Sequence, residues 1–174
     1  KDIKMDVVEI DEKVNEVAKK FFYLDELVDD WGKGRINLIV ADGRNYLNNT
    51  DKKYDIILND AFSGKTPARV LSTIEANNII KNSLTDGGAY ITNIIGGAGK
   101  YSGFLYSEIK TLKEVYKNVY VIPCDEFTDK YSINNIVIAT DVDCHIDSAI
   151  ELDIPNDTIV LTDNYSPVEA LSDF

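Results

Sequence analysis

The chain has 174 residues, of which 44% are hydrophobic, and this length and composition suit one globular domain with a buried core. An excess of acids, 30 Asp and Glu against 18 Lys and Arg, gives a formal net charge of −12. That charge argues against nucleic acid as a partner and would attract cationic ligands such as amines, although many cytosolic proteins are equally acidic. The one His and the two distant Cys show no zinc-binding spacing, and no apolar run is long enough to span a bilayer.

Strand and helix patterns alternate through the first part of the chain. Residues 5–10 form a short apolar run that predicts a buried strand, and Asp11 is placed to cap the helix that follows. A second helical stretch at 24–31 stops at a pair of glycines, and residues 35–40 predict the next strand.

The alternation continues to about residue 140. A strand at 54–58 precedes an irregular loop at 61–67 and a helix at 72–84, which we expect the glycines at 87 and 88 to close. A strand is predicted at 89–95, followed by a helix near 104–116 and by further strands at 119–122 and 136–140. The pattern favours an α/β fold with a mostly parallel sheet covered by helices on both faces, in a single domain spanning residues 1–174.

Three of the predicted strands end in an acid. Glu9, Asp42 and Asp60 each follow a strand, and ligands of open α/β sheets bind at the carboxyl ends of strands. Glu9 is suited to accept hydrogen bonds from both ribose hydroxyls of a nucleoside. Asp42 can accept one from an exocyclic amine, while Gly43 lets a base lie close to the backbone. Each acid alone could be a helix cap or a solvated turn, which is our interpretation of Asp11, but the joint placement favours a shared site.

Several short segments in this order resemble the spermidine synthase family. They are VVEID at 7–11, ADGR at 41–44, YDIILND at 54–60 and GGA at 87–89. Three further segments are similar to the spermidine-synthase-like domains that some bacteria fuse to membrane segments: DAFSG at 60–64, LSTIE at 71–75 and LTDNYSPVE at 161–169.

The resemblance implies a Rossmann-like sheet of the S-adenosylmethionine-dependent methyltransferase type and an aminopropyl transfer reaction. The cofactor would be decarboxylated S-adenosylmethionine or S-adenosylmethionine, with methylthioadenosine as product and no metal. Asp60 would be the catalytic base that takes a proton from the attacking amine. The cofactor-binding residues that the resemblance implies are Glu9, Asp42, Gly43, Pro67 and Ala68.

The amine site is less well defined by the sequence. Asp163, Tyr165 and Glu169 could form an acid and aromatic patch over an acceptor pocket, or could equally belong to a surface strand or turn. The family places a second Asp three residues after the catalytic acid, where this chain has Ser63. That departure, with Lys65 nearby, weakens the case for a diamine acceptor.

The family's first strand and glycine-rich loop would precede residue 5, and the chain starts without Met, so we expect a fragment of a longer protein that binds nucleosides weakly by itself. Two alternatives to the polyamine-synthase-like transferase stay open. One is a methyltransferase, and the other is a non-catalytic nucleoside-binding domain of a membrane-fused protein. The location would be the cytoplasm. A homodimer and membrane segments in the parent protein are left open.

Overall fold

The computed structural model describes residues 3–63 and 66–172, with the side chains of residues 30, 31, 63, 66 and 67 outside that description. The chain forms two compact units, Lys1–Thr50 and Asp51–Phe174. That the two units together make a single domain stays a prediction from the sequence.

The first unit is built on two parallel strands, β1 (Met5–Glu9) and β2 (Ile36–Val40), paired from Met5↔Ile36 to Glu9↔Val40. Helix α1 (Glu12–Phe21) follows β1, and α2 (Leu24–Glu26) continues as a π-helical turn over Leu27–Trp31. Helix α3 (Gly43–Asn49) follows β2. These elements confirm the predicted order of strand, helix and strand.

Helix α1 begins as the sequence predicts but buries none of its residues. The Asp11 side chain accepts a hydrogen bond from the Lys13 amide at 2.9 Å, which confirms the predicted cap. Its apolar side chains Val14, Val17 and Phe21 are 50%, 47% and 61% exposed. The stripe that marks the helix in the sequence is therefore largely open to solvent.

The second unit holds a four-stranded sheet with the order β3-β6-β8-β7. Its strands are β3 (Tyr54–Asn59), β6 (Leu84–Gly96), β7 (Asn118–Pro123) and β8 (Ile133–Thr140). Strand β3 runs parallel to β6, whereas β8 is antiparallel to both β6 and β7. The parallel pairs lie at the β1–β2 and β3–β6 positions, and the last two strands add an antiparallel edge, which is common in α/β folds.

Two details of the second unit differ from the sequence prediction. The predicted irregular loop contains a small antiparallel hairpin, β4 (Phe62–Ser63) with β5 (Thr66–Pro67). Strand β6 starts at Leu84, so Gly87 and Gly88 lie inside the strand instead of closing a helix. Gly87 has a φ of +81°, and a Cβ on Gly88 would lie 3.1 Å from the Asp55 carbonyl oxygen. These glycines therefore serve an irregular stretch of strand pairing.

The helices of the second unit enclose its core. Helix α4 (Ile74–Asn82) begins at the cap Thr73, α5 (Gly103–Lys113) packs on the sheet, and α6 (Val168–Leu171) lies near the C-terminus. The largest apolar side chains of this core are almost fully buried: Ile80, Tyr90, Ile94, Leu105, Ile109, Leu112, Val137, Leu161 and Val168. This core is the scaffold on which the side chains at the end of β3 are held.

Candidate active site

The first unit places two of the predicted acids at neighbouring strand ends. The Ala41 amide, just after β2, donates to the Glu9 carbonyl at 3.0 Å. The Glu9 carboxylate accepts from the Asp11 amide at 2.9 Å through Oε1. Because β1 and β2 are parallel and adjacent, Glu9 and Asp42 lie at the same edge of this sheet.

Asp42 is also the cap of helix α3. Its Oδ1 accepts a hydrogen bond from the Asn45 amide at 2.8 Å, and Gly43 is the first residue of the helix. The sequence analysis gave helix capping as the alternative role of Asp42, and the structure shows this cap. It is compatible with a ligand contact, because a carboxylate has two oxygens and this cap occupies Oδ1.

In the second unit Asp60 follows β3 with an exposed side chain. Its Oδ1 accepts a hydrogen bond from Asn93 Nδ2 on β6 at 3.0 Å. The same nitrogen donates to Asn134 Oδ1 on β8 at 3.1 Å. Since an ionised carboxylate only accepts, the Asn93 amide must turn its nitrogen toward Asp60. The three side chains make a polar row across three neighbouring strands.

The turn that carries Asp60 is fixed from inside the unit. Asn59 Nδ2 donates to the hydroxyl of Tyr90 at 2.8 Å, and Asn59 Oδ1 accepts from the Ala61 amide at 3.1 Å. The Ala68 amide donates to the Ala61 carbonyl at 3.0 Å, which folds the end of the hairpin back onto the turn. Ala68 thus lies beside the residues that follow Asp60.

Two predictions from the sequence concern residues that the structure describes only in part or not at all. The backbone of Pro67 lies in β5, but its side chain lies outside the described residues, as does that of Ser63. Lys65 lies outside them entirely. The predicted adenine contact of Pro67 and the effect of Lys65 on a diamine therefore stay predictions.

The terminal segment is anchored on the start of helix α4. Thr73 Oγ1 donates to Asp163 Oδ1 at 2.7 Å, and the Asp163 amide donates to Glu75 Oε2 at 2.9 Å. Arg69 donates from Nε to Ser166 Oγ at 2.5 Å. We call residues 161–167 the tail loop, and these contacts hold it against residues 69–75.

The three predicted acceptor-site residues, two in the tail loop and one on α6, have different surroundings. Asp163 takes part in the anchor just described, while Tyr165 is 58% exposed and Glu169 is exposed on α6. The Tyr165 and Thr162 backbones exchange hydrogen bonds of 3.1 and 2.9 Å, so the segment forms the surface turn that the sequence offered as the alternative. Contact of these residues with an amine stays a prediction.

Residues 3–129 match the family described as the spermine/spermidine synthase domain. The chain belongs to this family. It is 33% identical over 109 residues to a polyamine aminopropyltransferase of Thermoplasma volcanium, a match that covers 63% of this chain and 36% of that protein. It is also 33% identical over 120 residues to the polyamine aminopropyltransferase of Thermococcus kodakarensis, covering 66% of this chain and 41% of the relative.

Solved structures show the same fold. A probable spermidine synthase from Corynebacterium glutamicum superposes with a TM-score of 0.69 at 22% identity, covering 80% of this chain and 48% of that one. Human methyltransferase-like protein 13 in complex with SAH superposes with a TM-score of 0.62 at 22% identity, covering 85% and 64%. The chain thus spans between about a third and two fifths of the first curated relatives, and the Rossmann-like, methyltransferase-type α/β fold is confirmed.

The sequence analysis did not identify the residues that hydrogen-bond to Asp60 and Asp163, which are Asn93, Thr73 and Glu75. Asn93 lies with Thr92 between the apolar residues of the second half of β6 and could have been noticed as a polar residue inside a strand. Thr73, followed two residues later by Glu75, carries the signal of a helix start. The pairing of Asn93 with Asp60 has no local signal, because 33 positions separate them.

Residues 3–63 and 66–172 contain no group of three or more His, Cys, Asp or Glu side chains that could hold a metal ion. Within the same ranges, no helix has the length and apolarity needed to cross a membrane.

Proposed function

We propose that this protein transfers an aminopropyl group from decarboxylated S-adenosylmethionine to an amine, with Asp60 as the base. One observation carries the proposal. In a chain of the spermine/spermidine synthase family, an exposed carboxylate stands at the carboxyl end of β3 with Oδ1 held by Asn93. The name of the relatives from Thermoplasma volcanium and Thermococcus kodakarensis, polyamine aminopropyltransferase, supports the same reaction.

The chemistry needs a carboxylate and needs no redox step. The amine nitrogen attacks the aminopropyl carbon next to the sulfonium, and the carbon–sulfur bond breaks with its electron pair left on sulfur. The products are methylthioadenosine and a substituted ammonium, and the one proton that Asp60 took from the protonated amine before the attack then passes to water. An amine is protonated at neutral pH and must lose a proton before it can attack, which is the role of a nearby base. Orientation and negative charge supply the rest.

The proposed nucleoside contacts are at the ends of β1 and β2 and, separately, in the segment after β3. Glu9 would accept the ribose hydroxyls, and Asp42 with Gly43 would contact the adenine. Pro67 and Ala68 would pack against the adenine ring. Support comes from the adjacent strand ends of β1 and β2 and from the Ala68–Ala61 hydrogen bond of 3.0 Å.

The acceptor would be an amine bound between Asp60 and the tail loop. Asp163, Tyr165 and Glu169 would supply negative charge and an aromatic face, and the net charge of −12 would raise the local concentration of a cation. Ser63 replaces the second acid of the family, so we propose an acceptor that needs one carboxylate at this end of the site instead of two.

Methyl transfer from S-adenosylmethionine is the second candidate. The likeness to human methyltransferase-like protein 13, at 22% identity, supports the shared fold alone. The names of the sequence relatives favour aminopropyl transfer. A non-catalytic nucleoside-binding domain is the third reading, and turnover distinguishes it from both.

The proposal places the reaction in the cytoplasm. Cys124 and Cys144 are free and exposed, as suits a compartment in which thiols stay reduced. Neither a homodimer nor membrane segments in the parent protein are needed for the reaction as proposed.

Calorimetry of the full-length gene product tests the proposal, with decarboxylated S-adenosylmethionine, S-adenosylmethionine and methylthioadenosine as ligands. We expect the decarboxylated cofactor to bind more tightly than S-adenosylmethionine. Glu9→Gln should weaken nucleoside binding about 10-fold or more, because hydrogen bonds to a charged acceptor are worth about 1.5–3 kcal/mol. Glu12→Gln, an exposed change on α1, is the matched control and should bind normally.

Absence of binding to all three ligands would overturn both enzymatic readings. A clear preference for S-adenosylmethionine over its decarboxylated form would replace aminopropyl transfer with methyl transfer.

A further inference from the structure

Strand β8 carries two neighbouring asparagines whose side chains lie on opposite faces of the sheet. Asn135 is fully buried, and its Nδ2 donates to three backbone carbonyl oxygens of β6 and β8 at 3.1, 3.2 and 3.1 Å. Asn134 is exposed and lies directly opposite Ile95 of β6. Since successive side chains of a strand alternate between faces, Asn134 shares the face of Asn93, opposite to that of Asn135.

The main chain at Asn134 is held by the strands on both sides. Toward β6, the buried Asn135 side chain ties β8 to two carbonyl oxygens of that strand. Toward β7, the Cys124 amide donates to the Asn134 carbonyl at 3.0 Å, one position beyond the pair Pro123↔Asn135. The Asn134 side chain therefore starts from a backbone that both neighbouring strands fix, so the sheet sets its direction.

The Asn134 side chain gives Asn93 its second hydrogen-bond acceptor. Asn93 Nδ2 donates to Asp60 Oδ1 at 3.0 Å and to Asn134 Oδ1 at 3.1 Å. A primary amide nitrogen carries two hydrogens, so each acceptor can take one of them. Asn93 Oδ1 is buried and has no hydrogen-bond partner among the described residues. All the side-chain hydrogen bonds that the structure shows for Asn93 thus come from its nitrogen.

These contacts decide which way the Asn93 amide faces. A rotation that exchanged its nitrogen and oxygen would bring Oδ1 against the oxygens of Asp60 and Asn134, and two acceptors that face each other repel. The last torsion of an amide side chain has broad minima, so neighbouring groups must hold it in one orientation. With the Asn134 oxygen removed, Asp60 alone would oppose the rotation, and one hydrogen of the amide would lose its acceptor.

We propose that Asn134 is a positioning residue for the base Asp60. Its Oδ1 holds one hydrogen of the Asn93 amide, which keeps the other hydrogen on Asp60 Oδ1 and so fixes the carboxylate for an incoming amine. Asn134 acts through Asn93 alone. The catalytic part of this inference rests on the proposed function, whereas the orientation of the Asn93 amide is a property of the second unit.

The Asn93 side-chain amide reports on its own orientation without any turnover. In the full-length gene product with isotope-labelled asparagine, its two Nδ2 hydrogens give a pair of NMR signals, which Asn93→Asp removes and so assigns. We expect Asn134→Leu, which fills a similar space without an acceptor, to speed hydrogen exchange of this pair about 10-fold or more. Asn134→Asp keeps an acceptor oxygen in place and should stay within about 2-fold of wild type.

The matched control is Asn118→Leu on β7. Asn118 lies on the same face of the sheet as Asn134 but at its other end, opposite Thr140 of β8. This variant makes the same chemical change far from Asp60 and should leave the Asn93 signals as they are in wild type.

A general loosening of the sheet would speed Asn93 exchange in Asn118→Leu as much as in Asn134→Leu, and that result would overturn the proposal. So would unchanged exchange in Asn134→Leu, or exchange in Asn134→Asp as fast as in Asn134→Leu.

A double-mutant cycle on the full-length gene product tests the catalytic part. Asn134→Leu should lower kcat about 5-fold and leave the KM for the nucleoside cofactor within about 2-fold of wild type, because it disturbs the base and not the nucleoside contacts. In the Asn93→Ala background the same change should have no further effect, because Asn134 acts only through Asn93.

Additive losses in the double variant, or a kcat of Asn134→Leu equal to that of wild type, would overturn the positioning role. If neither wild type nor any variant transfers an aminopropyl group, the proposed function fails, whereas the exchange result still decides whether Asn134 orients the Asn93 amide.

Discussion

At the scale of single residues, the orientation of the Asp60 carboxylate depends on the side-chain amide of Asn93. Asn93 directs one nitrogen at both Asp60 and Asn134, at 3.0 and 3.1 Å. This holds Oδ1 of Asp60, the proposed base, and in the proposed reaction Oδ2 would meet the incoming amine. A neutral donor in this position orients the carboxylate without placing a competing cation beside it.

Removing that amide should weaken catalysis more than folding. We expect Asn93→Ala to lower kcat/KM for the amine about 10-fold, since a hydrogen bond to a charged group is worth about 1.5–3 kcal/mol. Steady-state kinetics measure this. Asn78→Ala, a change on α4 where Asn78 donates to the Ile74 carbonyl, is the control. Equal kinetics of the Asn93 variant and wild type would show that the amide does not position the base.

Glu108 gives the unfolding free energy a specific pH dependence. Burial raises the pKa of Glu108 above its ordinary value of 4.5, so the folded chain keeps a proton that the unfolded chain releases. The stability contributed by this group is complete below about pH 4.5 and is lost as the pH rises toward the folded pKa. Burial is the larger cause of the shift, and the Ser72 side chain acts against it by favouring the charged form.

Urea unfolding at pH 5 and pH 8 tests this sign. The stability of Glu108→Gln relative to wild type should increase between the two pH values, because Gln has no proton to lose. A difference that stays constant, or that shrinks with rising pH, would contradict a raised pKa.

At the scale of elements, one lysine joins helix α4 to the end of the sheet. Lys81 donates to the Val115 carbonyl at 2.7 Å and to Asp141 Oδ1 at 2.9 Å, and its ammonium lies 5.2 Å from the centre of the Tyr116 ring. The hydrogen bond from Lys81 is the main cause that lowers the pKa of Asp141, so this stability is present above pH 3.8 and is lost as the pH falls.

Lys81→Met should therefore cost about 1 kcal/mol at pH 7, because the pair is partly exposed and its salt bridge alone is worth little. The cost should shrink below pH 4. Denaturant melts at both pH values measure it, with the exposed Lys113→Met on α5 as control. An unchanged midpoint at pH 7 would mean that α4 is held by packing alone.

The order of helices and strands could be predicted from the spacing of apolar residues. The hairpin β4–β5 and the start of β6 could not, because they depend on which strands pair. Strand β3 and helix α5 were predicted from their apolar spacing. The hairpin β4–β5 was missed because Gly, Lys and Pro in residues 62–67 resemble a loop. The early start of β6 was missed because the two glycines predict a helix end, whereas pairing of Tyr54 with Leu84 extends the strand.

At the scale of the whole molecule, the sequence could predict those residues of the candidate site whose position follows from the order of strands. Glu9, Asp42 and Asp60 follow parallel strands, so their position at strand ends could be derived without coordinates. Asn93 could not be found this way, because its hydrogen bond to Asp60 joins segments 33 positions apart. The family resemblance, carried by short segments in order, is confirmed by the match of residues 3–129.

The most direct measurement is the release of methylthioadenosine by the full-length gene product, with decarboxylated S-adenosylmethionine and an amine, in wild type and Asp60→Asn. The control is Asp55→Asn on the same strand, where Asp55 accepts from Thr85 at 3.0 Å. The account predicts that Asp60→Asn lowers turnover about 100-fold or more with methylthioadenosine affinity retained, since a general base contributes about 100- to 10,000-fold. Turnover of Asp60→Asn equal to that of wild type would contradict it.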